Sequence, residues 1–442
     1  MKNKFIKECV WIIVILIVSI LTGTVLMIAS YALPTEPMKM HARETISMMA
    51  DEGDDYKWIL KDFTSMAANF TDSLMINTAV YDGKESLLEK ALLNPRTNYA
   101  EGTQTRKLIN ALQDVPGGDA FTYGRYWHGY LVILKPLLFI FNYYQIRWLN
   151  TIIGCSLISI IMIGFYKKFG SCKYALAFAA SVLFLNPVVM RGSLQYNTVF
   201  YVIMIEYIFA LYKGDSLEKK GRYDLIFLMS GILVAFFDLL TYPIAALGML
   251  LVLQLLMFES NFIKDVIRAA RSSIVWIIGY LGMWCGKWVV ASLLTDENII
   301  ADAIGEVLFR TGTDTGTEEW IFSWRELFRG NFIWIYGENA VLFKMFVIML
   351  VAGVIALLIG KNLQIHFKLS TVVILLLFCM IPVVRFIVFS NHSFMHSVFT
   401  YREGMVYVMA AAPEASASAA TPPSSAAILF SNTSCVELVS LP

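Results

Sequence analysis

The chain has 442 residues, 57% of them hydrophobic and 16% charged, with a mean hydropathy of +0.63. A water-soluble fold cannot hide that much apolar surface, so the composition excludes an ordinary soluble domain and points to the membrane. The net charge of +1, with basic residues scattered between apolar runs, gives no support to a nucleic-acid binder.

The first apolar run, Val10 to Ala32, follows Lys2, Lys4 and Lys7. It is too long for the core of a secretory signal and lacks a convincing cleavage site, so it reads as an uncleaved first helix. A span needs about 20 apolar residues, and further windows of that kind fall at 146–166, 174–190, 197–212, 224–241, 243–258, 273–293, 341–360 and 369–389. The expected fold class is all-α: a polytopic transmembrane helix bundle of about nine spans.

Lys and Arg are retained on the cytoplasmic side during insertion, which gives a test of orientation. With the N-terminus inside, the inner segments carry fifteen basic residues, Lys2 to Lys368, while the outer segments apart from the long first one carry five: Arg191, Arg310, Arg325, Arg329 and Arg402. A multi-pass cell-membrane protein with a cytoplasmic N-terminus is therefore expected. The predicted organisation is a cytoplasmic tip and first helix (1–32), an extracytoplasmic loop with interfacial helices (33–145), and a six-helix bundle (146–293). A second extracytoplasmic loop (294–340) and further helices with an outer-rim segment (341–408) follow.

Within the first loop, Asp51 to Leu93 has an apolar stripe suited to short helices resting on the membrane surface. The stretch from Tyr123 through Lys135 to Leu138 suits a helix lying in the interface rather than a span. After Met409 the composition turns to Ala, Ser and Pro, and disorder is expected over 409–442. Arg402 to Val408 reads as the approach to a tenth span, so a native chain of ten or more spans is expected, with this tail a truncation or reading-frame artefact. The six cysteines lie mostly in or beside apolar runs without metal-type spacing.

Ionisable residues at the rims of spans cost energy to place in lipid, and each is a functional hypothesis. Asp238, in Phe236-Phe-Asp-Leu-Leu-Thr-Tyr-Pro243, faces a cavity or partner, or caps the next helix. Glu206 and Arg385 read as bundle-packing pairs, as does Lys287 near an outer end, with contact to an anionic lipid group as the alternative role. In the first loop, Glu36 is held at the interface just after the first helix, and Asp72 sits in an apolar helical stretch. Either could serve as a base that deprotonates an acceptor hydroxyl. After the ninth span, His392 and His396 lie four apart in Ser390-Asn-His-Ser-Phe-Met-His, sharing one helix face. No His-Glu-x-x-His pattern or third ligand accompanies them. Phosphate contact assisted by Arg402, with Arg191 and Gln195 on the same side, is the alternative to simple interfacial anchoring. Walker, dinucleotide and Gly-x-Ser-x-Gly patterns are missing from the sequence.

The layout of one helix, a long outer loop with surface helices, and a bundle with a late outer loop resembles the GT-C class of membrane glycosyltransferases, over the chain to about Arg402. The stretches around His128, Asp238 and His392 also resemble bacterial membrane proteins of surface-polysaccharide function. The resemblance implies transfer of a sugar from a polyprenyl-phosphate donor to a cell-envelope glycan or lipid acceptor at the outer face, with inversion. It implies a catalytic acid in the first loop, matched by Glu36 or by the Asp51 to Asp55 cluster with Asp54 and Asp55, though no Asp-Glu pair directly follows the first span. Substrate contacts would come from His128, Asp238, Arg191, His392, His396 and Arg402. No motif calls for a cofactor, and a divalent metal ion stays open. The rival readings are a transporter or flippase for a lipid-linked or polar substrate, and a non-catalytic envelope subunit.

Overall fold

A computed structural model describes residues 2–56, 66–333 and 368–416. The expected span at 341–360 and the tail beyond residue 416 lie outside the described residues. The chain is mostly helical. Helix α1 (Lys2–Tyr31) presents one long apolar face outward, including Trp11, Val18 and Val25. Its other face meets glycines: Leu16 and Ile20 rest where Cβ atoms at Gly282 and Gly286 would stand.

The segment that follows α1, termed the outer domain for the orientation expected from the basic residues, folds as a small helical domain. It contains α2 (Thr35–Arg43), α3 (Ile46–Glu52), α4 (Asn69–Val80), α5 (Leu87–Leu93), β1 (Arg96–Asn98), α6 (Gln104–Leu112), β2 (Asp119–Phe121) and α7 (Leu131–Ile140). The strands pair antiparallel with Thr97 opposite Ala120. Helix α5 begins in a capping box, Ser86 with Glu89, which satisfies otherwise orphaned backbone donors at both ends of the motif. Helix α7, ten residues long, reaches only about 15 Å, too short to cross a membrane. Helix α4 corrects an expectation. It does not rest on the membrane surface, because Asn69, Asp72, Ser73 and every residue from Met75 to Val80 are buried.

The bundle follows. Helix α8 (Tyr143–Phe169) starts at an Asn142–Gln145 capping box and stops at Gly170, whose φ of 65° a glycine adopts without strain. The window expected as one span at 174–190 is two helices, α9 (Lys173–Phe184) and α10 (Pro187–Arg191), separated at Asn186 with φ 55°. Pro187 cannot continue the preceding helix but suits the first turn of a new one. Then come α11 (Leu194–Lys219), α12 (Asp224–Phe237), α13 (Ile244–Phe258) and α14 (Phe262–Leu294). Helices α12 and α14 approach backbone to backbone: a Cβ on Gly231 would collide with the Trp276 carbonyl, and one on Gly279 with that of Leu228. Small residues at the crossing are what make helix pairing in lipid favourable.

The later elements are α15 (Ile299–Thr311), α16 (Trp324–Phe328), α17 (Leu369–Val388), α18 (Ser390–Met395), α19 (Ser397–Thr400), a 3-10 turn at Tyr401–Gly404 and α20 (Met405–Ser416). Helix α20 runs through the composition break at Met409 as far as Ser416. Among the described residues, five helices are long and apolar enough to cross a membrane, namely most of α1 and the whole of α8, α11, α14 and α17. Helices α9, α12 and α13 are apolar but 12, 14 and 15 residues long. The buried apolar residues form two main clusters, one joining α8 to α13, α17 and α20, the other joining α1 to the outer domain and α12.

Candidate functional site at the outer end of the bundle

Buried charge organises the outer end of this molecule, and most of it is spent on helix termini. Asp72 on α4 is wholly buried. Its carboxylate accepts a hydrogen bond from the Tyr143 hydroxyl, one from the Leu194 N–H at 2.7 Å and one from the Gln195 N–H at 3.1 Å. Those two amides open α11, whose first turn would otherwise leave donors without partners and carries the positive end of the helix dipole. Burial nevertheless pushes the Asp72 carboxyl up to about 6, against the lowering effect of the Tyr143 and backbone donors and of Arg147. Arg147 in turn ion-pairs with Glu52 at 2.7 Å and donates to Asn69. The outer domain is thereby locked onto α8 and α11.

Two lysines do the complementary work at helix C-termini. Lys135 donates to the Ala79 carbonyl at 2.6 Å in the last turn of α4, and Lys287 donates to Ala91 and Leu92 in the last turn of α5. A cation beside unpaired carbonyls at the negative end of a helix is the favourable placement. Asp54, a sequence candidate for the base, accepts from the Gln104 and Thr105 amides at 3.0 Å each and holds the start of α6. Asp238, also wholly buried, accepts from Thr198 at 3.1 Å, from the Thr241 hydroxyl and from the Thr241 amide at 2.9 Å. It shapes the turn between α12 and α13, the capping alternative raised by the sequence.

One group of charges at the same end is not satisfied in this way. Arg402, in the turn before α20, is wholly buried, lies over the Tyr196 ring at 3.7 Å and donates through Nη1 to the Val398 carbonyl. Its Nε and Nη2 make no hydrogen bond among the described residues. Next to it in sequence, Glu403 pairs with Arg385 on α17 at 3.2 Å. Arg385 also donates to the Leu240 carbonyl, to Ser393 and to Nδ1 of His392. The expected pairing of Arg385 with Glu206 is therefore corrected: the partner is Glu403, brought in by the 3-10 turn. Glu206 sits alone within α11, with Ser230 beside it and neither carboxylate oxygen hydrogen-bonded among the described residues.

His392 and His396 come together although a kink between α18 and α19 interrupts the helix that should have joined them. Their ring centroids are 4.8 Å apart. Nε2 of His396 meets Arg310 at 2.8 Å, and Nδ1 of His392 meets Arg385 at 3.1 Å. An arginine can only donate, so both ring nitrogens accept and each imidazole is a neutral tautomer with one N–H left to give. Burial and the neighbouring arginines agree with this, holding His392 well below the usual histidine range and pushing His396 down to about 3. The lone pairs a metal would need are thus turned toward arginines, and among the described residues no group of three or more His, Cys, Asp or Glu could hold a metal ion.

The remaining sequence candidates lie elsewhere. Glu36 is exposed on the first turn of α2 and pairs with Arg43 at 3.1 Å. Arg43 reaches on to Asp114, and Asp114 with Asp82 flanks the buried Lys39. Lys39, Asp82, Thr97, Tyr99 and Asp114 line a cleft of about 270 Å³ on the outer domain. Asp55 is exposed at the end of the stretch that follows α3. His128 does not reach the rim: it is enclosed by Tyr123, Tyr126 and Tyr130, bonded to the Tyr130 hydroxyl and the Tyr123 carbonyl. Arg191 stacks on Trp148 of α8 at 4.0 Å, and Gln195 serves Asp72 through its amide rather than joining Arg402.

No family model, curated protein or solved structure matches the chain. The site therefore rests on its own geometry. Glu403 and Tyr196 join the rim without having been singled out for it, and Asp82 and Asp114 form the cleft without any signal beyond their turn-like settings, Asp82-Gly83 and Asp114-Val-Pro-Gly-Gly118.

Proposed function

We propose that the protein is a membrane glycosyltransferase that moves a sugar from a polyprenyl-phosphate donor to a cell-envelope glycan or lipid acceptor at the outer face. The observation that carries this reading is Arg402: a buried guanidinium at the outer end of an apolar bundle, with two nitrogens, Nε and Nη2, uncommitted among the described residues and Arg385 close by. Positive charge placed in advance in a partly dehydrated site is worth most where negative charge develops, as it does on a departing lipid phosphate. The paired neutral histidines, held by Arg385 and Arg310, supply uncharged donors at the same end of the bundle. The orientation expected from the basic residues puts this end of the bundle on the extracytoplasmic side, where the lipid tail can lie between helices.

In the reaction, a first-loop carboxylate takes the proton from the acceptor hydroxyl. The oxygen attacks the anomeric carbon, and the bond from that carbon to the phosphate oxygen breaks with its electron pair leaving on the phosphate. Among the first-loop candidates Glu36 is taken as the base because its carboxylate is open to solvent, whereas Asp54 and Asp72 have theirs engaged by backbone amides; no contact among the described residues joins it to the Arg402 rim, so this role rests on exposure and on the test that follows. Asp72 becomes a positioning residue that sets α11 and, through it, Tyr196 beneath Arg402. Membranes containing the full chain should transfer radiolabelled sugar from a polyprenyl phosphate, and Glu36→Gln should abolish that transfer while leaving insertion normal. Transfer at the wild-type rate by the Glu36→Gln protein would remove Glu36 from its role.

A second reading has one observation in its favour. A mid-bundle carboxylate without a hydrogen-bond partner among the described residues, as at Glu206, is a common feature of proton-linked transport. A flippase for the same lipid phosphate would use Arg402 equally and would show no sugar transfer.

A further inference from the structure

We infer that α15, in the second outer segment, is seated in the outer leaflet of the bilayer with its apolar face in lipid, rather than standing in water above the membrane. This inference is independent of the glycosyltransferase reading. The helix is amphipathic with its charged side turned inward. Asp302, Glu306 and Arg310 recur every four residues and are all engaged by the protein: Arg125 binds Asp302 at 3.1 Å and Glu306 at 3.3 Å, Glu306 binds Arg310 at 2.6 Å, and Arg310 ends on His396. Ile299 and Ala303 are buried beside that ionic row.

The outward side consists of Ile300, Ile304, Val307 and Leu308, the i, i+4, i+7, i+8 stripe that in a water-soluble helix faces a core. Leu308 is 67% exposed, and in the following loop Trp320 and Trp324 are also exposed while Ile321 is 84% exposed. The ionic row fixes the rotation of the helix, so it cannot roll to hide this stripe. Such a contiguous apolar surface is not stable against water, and it continues the exposed apolar belt at the end of α14, where Val289, Leu293 and Leu294 face outward. Apolar side chains on one face of a helix with tryptophans at its end are the composition of an interfacial helix. The occupant is therefore the acyl region of the lipid itself. Seated this way, α15 holds Arg310, and with it His396, at a fixed depth relative to the bilayer.

The test uses the full chain, native cysteines replaced by serine, in phosphatidylcholine nanodiscs. Nitroxide labels are placed by Leu308→Cys or Ile304→Cys, with Val25→Cys on α1 as a lipid-facing reference and Asp119→Cys on β2 as a water-facing one. The ratio of oxygen to nickel-chelate accessibility at 308 and at 304 should match position 25 and exceed position 119 several-fold. Either label behaving like position 119 in folded protein would overturn the inference. Two positions are read so that a misfolded variant at one leaves the other to decide.

Discussion

Two neighbouring regions at the outer end of the bundle handle buried charge in opposite ways. At the Asp72 anchor both carboxylate oxygens accept hydrogen bonds, from a tyrosine and two helix-opening amides. At the Arg402 rim a guanidinium equally buried keeps two nitrogens, Nε and Nη2, uncommitted among the described residues, and the oxygens of Glu403 beside it meet an ion pair but no well-formed hydrogen bond. Burying a charge is tolerable when neighbours complete its hydrogen bonds and expensive when they do not. The anchor therefore reads as architecture, and the rim as a place where something else completes the set.

That contrast can be broken by experiment. The largest effect is expected at the rim: Arg402→Met should lower sugar transfer by about 100-fold or more, with insertion and thermal stability close to wild type. Arg402→Lys should not restore it, because a point charge lacks the planar set of donors. The next effect belongs to the anchor. Asp72→Ala leaves the opening amides of α11 and the Tyr143 hydroxyl without their acceptor and should cost about 3 kcal/mol. It should appear as protease sensitivity of the first outer domain in intact membranes, with transfer lost only as far as that domain detaches.

A smaller and more diagnostic effect is the pH response, which should have opposite signs in the two regions. Asp72 titrates at about 6 in the folded chain against an ordinary 3.8, so its contribution to stability is greatest below 3.8 and is lost as pH rises through 6. His396 is lowered to about 3 from 6.5, so its contribution is present above 6.5 and is lost as pH falls toward 3. On lowering the pH from 6.5 to 4, protection from hydrogen exchange, corrected for the intrinsic fall of the exchange rate with pH, should rise at the amides of Leu194 and Gln195 and drop across 390–404. Exchange moving in the same direction at both sites would show that these groups do not control them. Smallest of all, Glu36→Ala should change thermal stability by no more than about 0.5 kcal/mol, since its pair with Arg43 is exposed.

Much of the architecture could be read from hydropathy alone, since each of the five long apolar helices overlaps a predicted window, although four of them run past its ends. What hydropathy could not read was where a window breaks. The run at 174–190 looks continuous, yet Asn186 and Pro187 split it, and the run at 224–241 ends as a helix at Phe237 because Asp238 turns its backbone extended to hold Thr241. Local position revealed which residues were chemically unusual, and His392 and His396 come together between Arg385 and Arg310. Partner choice was not legible. Nothing in the sequence ties Asp72 to Leu194, 122 residues away, or sets Arg385 against Glu403 instead of Glu206, because those pairings arise from how helix ends meet. The burial of α4 was hidden for the same reason: its polar residues look like a wet face until their partners on other elements are seen.

Native mass spectrometry of the full chain, offered a polyprenyl phosphate and the matching uncharged polyprenol, tests the contrast most directly. Wild type and Asp72→Asn should retain the phosphate and release the alcohol, while Arg402→Met should retain neither. Equal retention of the two lipids by wild type, or phosphate binding undiminished in Arg402→Met, would contradict the account.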